Sequence, residues 1–257
     1  MTKKIILGIL TIGMCFSALY SCRKTNSTTG DKTLNYFPLQ FGKTVTYNVD
    51  SIIYDDANCT KKESRTQLKY AITDTFRDSK KRLSYIMDVF SRPHDGAVWQ
   101  KARVILITPA PVAQLTTTPP PNTPTNSLIF SESGVQFIRL EFPIVEGITW
   151  KGNALVPVLD TDYAYFNNWN YVYQNLYSSY NTGFMNFDNT VTVLENNESV
   201  YNPQLDTTQY AYRTYAKQVY AYNVGMVYKE WTHYIYHPNN ATCVRGYTVI
   251  MRAVDHN

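Results

Sequence analysis

Residues 36–257 read as a succession of short runs in which apolar and polar residues alternate, separated by polar turns, and this pattern constrains the fold more than any other feature of the chain. In YFPLQFGKTVTYNVDSIIYD, residues 36–55, Val45, Tyr47 and Val49 alternate behind a turn marked by Pro38 and Gly42. Comparable runs occupy 66–76, 82–90, 97–107, 127–131, 135–142, 187–195, 225–236 and 246–253. A period of two sends successive side chains to opposite faces of a strand, so each run has one face to bury and needs others to cover it. The expectation is a mainly all-β chain: a single antiparallel barrel, half-barrel or sandwich with at most one or two short helices. One place for a helix is 210–220, where Tyr212, Tyr215, Ala216 and Val219 recur at spacings of three and four.

Composition supports a folded domain. Of 257 residues, 44% are hydrophobic and 17% charged, which leaves ample apolar material for a core. Aromatic residues are abundant, with 22 Tyr, 11 Phe and 4 Trp against 11 Gly, and Tyr, Thr and Val favour strands. The formal net charge is +4, and Lys3 and Lys4 sit in a segment expected to be removed. That is no nucleic-acid footprint, which needs basic residues gathered on one face. Residues 108–126, TPAPVAQLTTTPPPNTPTN, are rich in prolines, which lack the N–H of a central strand, and read as a long exposed loop within one domain.

At the N-terminus Lys3 and Lys4 precede an apolar stretch from Ile5 to Tyr20, the layout of a secretory leader. The stretch is shorter than the roughly 20 apolar residues of a comfortable membrane span. It ends in Leu19-Tyr20-Ser21-Cys22, which resembles the lipobox of bacterial lipoproteins. The resemblance implies cleavage before Cys22, acylation of its thiol and new amino group, and attachment to the membrane by lipid, with each buried methylene contributing about 0.8 kcal/mol. Arg23 stands where an aspartate would retain such a lipoprotein at the inner membrane, so the resemblance implies the outer membrane of a Gram-negative envelope. The expected organisation is a leader over 1–21, a flexible tether over 22–35 and a β-rich domain over 36–257. Three further motifs, Y-F-P-L-x-x-G at 36–42, E-G-x-x-W-x-G-N at 146–153 and V-G-x-V-Y-K-E at 224–230, are similar to those of a group of bacterial envelope lipoproteins. That likeness implies a single β-rich domain and brings no enzymatic activity with it.

No G-x-S-x-G, H-E-x-x-H, C-x-x-C, phosphate-cradling glycine loop or dinucleotide fingerprint is present. His233 and His237 would share a helix face, but Trp231, Tyr234, Ile235 and Tyr236 around them favour a strand. On a strand the two would stand roughly 13 Å apart, too far for one zinc, so neither metal nor cofactor is expected. A hydrolase would draw on carboxylate pairs such as Asp160 with Asp162 or Glu141 with Glu146. Asp55 and Asp56 read as a solvated turn. Tyr163, Tyr165, Trp169, Tyr171 and Tyr173 share one parity, so an extended chain would line them along one face, either as core or as an exposed platform for a glycan or a partner protein. The helical alternative runs through Trp169, Val172, Tyr173, Leu176 and Tyr180.

With Cys15 in the leader and Cys22 acylated, Cys59 and Cys243 remain, both in polar, turn-like surroundings. Export to an oxidising compartment predicts a disulfide between them, with the first and last strands as neighbours. The function expected is a non-enzymatic binding or structural role in the envelope. Its partners would be the membrane, through the N-terminal lipid, and a glycan or an envelope protein. Glycan capture by exposed aromatics and envelope hydrolysis are the alternatives.

Overall fold

A computed structural model describes residues 35–111, 126–161, 163–202, 209–238 and 243–257. The leader, Cys22 and nearly all of the tether lie outside these residues, as do Asp162 and the centre of the proline-rich stretch. Twelve strands follow in chain order: β1 (Thr44–Asp55), β2 (Thr60–Arg77), β3 (Leu83–Arg92), β4 (Gln100–Pro111), β5 (Asn126–Glu132), β6 (Val135–Phe142), β7 (Thr149–Trp150), β8 (Tyr171–Asn181), β9 (Asn186–Val200), β10 (Ala211–Ala221), β11 (Gly225–Tyr236) and β12 (Arg245–His256).

The strands form one antiparallel sheet in the order β6-β5-β4-β3-β2-β1-β12-β11-β10-β9-β8-β7. Chain neighbours pair except β6 and β7, which form the two edges, and β1 pairs in addition with β12, Val45 opposite His256 and Tyr54 opposite Gly246. The sheet curls until its two edges meet. There the Ile138 N–H of β6 donates to the Gly152 carbonyl at 2.8 Å, and the Trp150 indole N–H donates to the Ile138 carbonyl at 2.9 Å. The result is a nearly closed barrel, and among the described residues helical structure amounts to short 3-10 turns such as Ala164–Phe166. The Cys59–Cys243 disulfide, with α-carbons 5.4 Å apart, ties the β1–β2 turn to the β11–β12 connection.

Two local expectations are corrected. Residues 211–221 are a strand on which Thr214, Ala216, Gln218 and Tyr220 are buried in strict alternation. Val219 and Ala221, of the other parity, are buried as well and with Ala216 imitate helical spacing, while the register shifts on either side put the extra residues, Glu195 and Val227, in β9 and β11. The proline-rich stretch is shorter as a connection than 108–126, because Thr108–Pro111 continue β4 and Asn126 opens β5, with Pro109 opposite Leu128. Proline is tolerated there because the β3–β4 pairing ends at Tyr85 opposite Ile107, leaving that part of β4 with one free edge.

Twelve strands enclose a wider space than about eight, the number whose lumen ordinary side chains just fill. Long side chains fill it here. Tyr47, Tyr171, Tyr173 and Tyr220 are almost fully buried beside Val89, Ile107, Leu140, Val191 and Val193. Tyrosine suits this position because its ring spans the gap while its hydroxyl finds a partner. The Tyr47 hydroxyl donates to the Met226 carbonyl at 2.7 Å and that of Tyr173 to the Glu141 carbonyl at 2.8 Å. Burial of each large apolar side chain contributes about 1.5–3 kcal/mol. The opposite, outward face carries ion pairs such as Asp50–Arg65 at 3.2 Å and Lys61–Glu63 at 2.8 Å, where a lipid-facing barrel would show an apolar band. Among the described residues no helix is long and apolar enough to cross a membrane.

Candidate functional site

The lumen holds a charged network. Arg139 of β6 and Glu195 of β9 pair at 2.8 Å with side chains only 5% and 3% exposed. The Gln218 amide donates to the same carboxylate oxygen at 2.6 Å, and the Tyr220 hydroxyl donates to Gln218. Arg139 also donates to the Tyr171 hydroxyl at 3.3 Å, and Tyr171 in turn donates to Asn153 at 2.8 Å. Nearby, Arg103 pairs with Glu132 at 3.1 Å. Burial, which would raise the Glu132 pKa, is outweighed by Lys229, Arg139 and Arg103, so it is lowered. Burial and the Arg139 charge hold Lys229 below its ordinary value. A cavity beside this network, lined by Arg139, Gln218, Tyr220 and Lys229, measures about 30 Å³, room for about one water, and a second of that size lies by Phe37, Tyr47 and Gly225. A small-molecule pocket is on the order of 300–1,000 Å³, so this part of the lumen is packed core rather than a carrier's cavity.

The three sequence motifs build and close this core. Both Glu146 carboxylate oxygens accept backbone N–H groups, of Asn175 at 3.0 Å and Leu176 at 2.8 Å, where β8 bulges with positive φ at Asn175 and Tyr177. Trp150 makes the seam bond. Gly152 is required because a Cβ there would stand 2.3 Å from the buried Tyr171 ring. Asn153 joins Tyr171 to the Phe166 carbonyl, to which its amide donates at 3.2 Å. From the first motif, Tyr36 donates to Asn189 at 2.6 Å and Phe37 meets Phe130 edge-on at 5.1 Å. From the third, Lys229 lines the cavity beside Arg139 and Gln218, while Tyr228 and Glu230 share the other parity of the strand and bond to each other at 2.9 Å.

The aromatic set expected along one face is divided. Tyr163 and Tyr165 are half-buried in and beside the 3-10 turn, Trp169 precedes β8, and only Tyr171 and Tyr173 share a strand. Trp169, Tyr171 and Tyr173 are 3%, 0% and 0% exposed. Parity gave the wrong picture because the chain is not extended before Tyr171. Phe166 and Trp169 pack on Trp231 at 5.7 and 6.2 Å, and Tyr165 on His233 at 5.1 Å, so the segment stops one end of the lumen instead of offering a platform. Burial and then Tyr247 push the Tyr165 hydroxyl pKa up.

The remaining candidates serve different neighbours. His233 Nδ1 lies 2.8 Å from the Thr214 hydroxyl, and burial followed by Arg245 lowers its pKa; His237 packs on Tyr210 at 4.6 Å. Among the described residues no three His, Cys, Asp or Glu side chains gather as for a metal. Asp55 accepts from the Ala57 N–H at 3.0 Å and the Asn58 amide at 2.8 Å, closing its own turn. Glu146 is engaged by the bulge, and Asp162 lies outside the described residues.

Glu141 is 8% exposed, and burial pushes its pKa up to about 7. A carboxyl raised above its unfolded value keeps its full stabilising contribution below the unfolded pKa, and loses it as pH rises toward and through about 7. Glu141→Gln should therefore be more stable than wild type at pH 8 by about 1–2 kcal/mol, a figure discounted for solvent screening, and equal to it near pH 4.5. Urea titrations at the two pH values check this; a constant difference would show that ionisation is not the cause.

The outward face holds a trough of about 700 Å³ across β9–β12. Its lining combines Ser199, Tyr201 and Asn202 from the end of β9 with Arg213 and Tyr215 of β10, Glu230, Thr232 and Tyr234 of β11 and Thr248 of β12. Alternation puts Arg213 and Tyr215 on one face of β10, and Glu230, Thr232 and Tyr234 on one face of β11. Register then sets Thr232 beside Tyr215 and Thr248. Arg213 donates to the carbonyls of Glu198 and Thr214 at 3.2 and 3.3 Å, which fixes its guanidinium 5.0 Å from the Tyr215 ring. Glu230 Oε2 accepts from the Tyr228 hydroxyl at 2.9 Å. No single stretch of sequence signals this site, since four strands contribute to it.

No protein-family model matches the chain, and no curated protein does. Among solved structures, a provisionally assigned exported protein with a YmcC-like fold from Bacteroides fragilis is 12% identical, with a TM-score of 0.31 over 86% of this chain and 98% of that one. A provisionally assigned lipoprotein from Parabacteroides distasonis is 11% identical, with a TM-score of 0.23 over the same shares. Likenesses of this degree carry no argument about fold or function.

Proposed function

We propose that this chain is a lipid-anchored protein of the Gram-negative outer membrane that binds a ligand rather than catalysing a reaction, and takes that ligand in the outward trough. The observation that carries the binding reading is the contrast between the cavity of about 30 Å³ beside the lumen's charged network and a trough of about 700 Å³ on the opposite face of the sheet. Support for export comes from the Cys59–Cys243 disulfide, a bond that persists in oxidising compartments. Support for the anchor comes from Leu19-Tyr20-Ser21-Cys22. Hydrolysis is the weaker reading, because Glu146 is spent on the β8 bulge and Glu141 is buried.

Expression of wild type and Cys22→Ala in a Gram-negative host with labelled palmitate tests the anchor. Wild type should carry label and sediment with outer membranes, and the variant should lose both. Equal labelling of the two proteins would remove Cys22 as the attachment point.

A further inference from the structure

We propose that the trough takes an uncharged glycan chain, an inference that rests on the binding reading above and names its ligand class. The lining includes the hydroxyls of Ser199, Tyr201 and Tyr215 and the Asn202 amide, above a floor where the hydroxyls of Thr232, Tyr234 and Thr248 bond to one another. It includes one guanidinium and one carboxylate, Arg213 and Glu230, so its formal charge is zero, which matches a neutral ligand and gives no hold on a polyanion. Donors and acceptors in this density suit a ligand that is itself covered in hydroxyls. Tyrosine rings add apolar faces for the C–H surfaces of a sugar ring; Tyr201 on the wall is 61% exposed, and Tyr234 is braced edge-on by Tyr54 at 5.1 Å.

Other ligand classes fit less well. A peptide added as a strand needs an unpaired sheet edge, whereas β10, β11 and β12 are each paired on both sides, and the open edge of β9 beyond Leu194 borders the trough rather than crossing it. A lipid tail needs an apolar groove, and this one is lined by polar groups. The trough also has a place in the fold that suits a surface ligand. Asn35, where the described chain begins, is bonded to the β10–β11 turn through the Asn223 N–H, while the trough lies toward the far ends of those strands, away from where a tether would leave.

The experiment is calorimetric titration of the full-length lipidated protein in detergent with maltohexaose, cellohexaose, xylohexaose, mannohexaose and chitohexaose. At least one should bind, and Tyr201→Ala combined with Arg213→Ala should weaken it at least tenfold, while Tyr163→Ala, outside the trough, leaves it unchanged. Circular dichroism confirms that each variant is folded, and Tyr201→Phe, which keeps the ring, should retain binding. Absence of binding to all five sugars at millimolar concentration overturns the inference, as does binding that ignores the trough substitutions. A parallel array of uncharged dodecapeptides separates the two levels. Saturable peptide binding lost in Tyr201→Ala, with no sugar bound, rejects the glycan and keeps the trough as a binding site; silence in both arms rejects both.

Discussion

Replacing Glu195 by alanine should destabilise the protein by about 3–5 kcal/mol, because it strands the Arg139 guanidinium in the lumen without its carboxylate. The loss is large for a reason particular to this barrel. Glu195 also accepts from Gln218 at 2.6 Å, so its removal leaves two buried donors unsatisfied together. Remaining stabilisation of Arg139 would come from Tyr171 and the Phe137 ring, 4.2 Å from the guanidinium carbon. Conversely, Arg139→Met with Glu195→Leu should cost far less than the single change, since apolar pairs of similar volume often match a buried ion pair. Urea unfolding at constant pH, with the disulfide intact, reads both variants. A loss below about 1 kcal/mol for Glu195→Ala would mean that water reaches Arg139 in the folded protein.

Removing the disulfide should have an effect of the same order by a different route. Cys59 and Cys243 are 184 residues apart, and chain-entropy reasoning assigns closure of so long a loop about 5 kcal/mol, with about 2–5 kcal/mol usual when a native bridge is removed. Cys59→Ser with Cys243→Ser should fall in that range. Both cysteines lie in connections outside the strands, so the core should be unchanged and the loss should arise in the unfolded chain. The urea midpoint of the double variant, compared with wild type before and after reduction, measures it. If the double variant unfolds within about 1 kcal/mol of oxidised wild type, the bridge stores no stability.

Much of this architecture was legible in the residues. Alternation located most strands, and at Tyr47 and Val49 it also identified the inward face. The polar settings of Cys59 and Cys243 pointed to turns, and the turns are where the bridge sits. Legibility failed wherever the period was broken locally. At the end of β10 Val219 and Ala221 are buried as well as Gln218 and Tyr220, which puts both parities in the core, and the turn before Tyr171 separated rings whose numbering looked aligned. The trough was invisible for another reason: Tyr201, Arg213, Glu230 and Thr248 become neighbours only through cross-strand register, which a linear pattern does not contain.

The ladder between β1 and β12 sets an order on how the molecule can come into being. Pairs such as Val45 with His256 join the beginning of the sheet to its last strand, so β1 can meet β2 early but its other edge must wait until every intervening strand has been made. Such remote contacts make folding slow, and an exposed strand edge in the meantime invites pairing with the wrong chain. A sheet of this topology cannot be completed while the chain is still being synthesised, because β1 lacks one partner until β12 has been made. Its decisive step, the zipping of β1 to β12, belongs to the finished chain, and the Cys59–Cys243 bond then fastens two hairpins that have only just become neighbours.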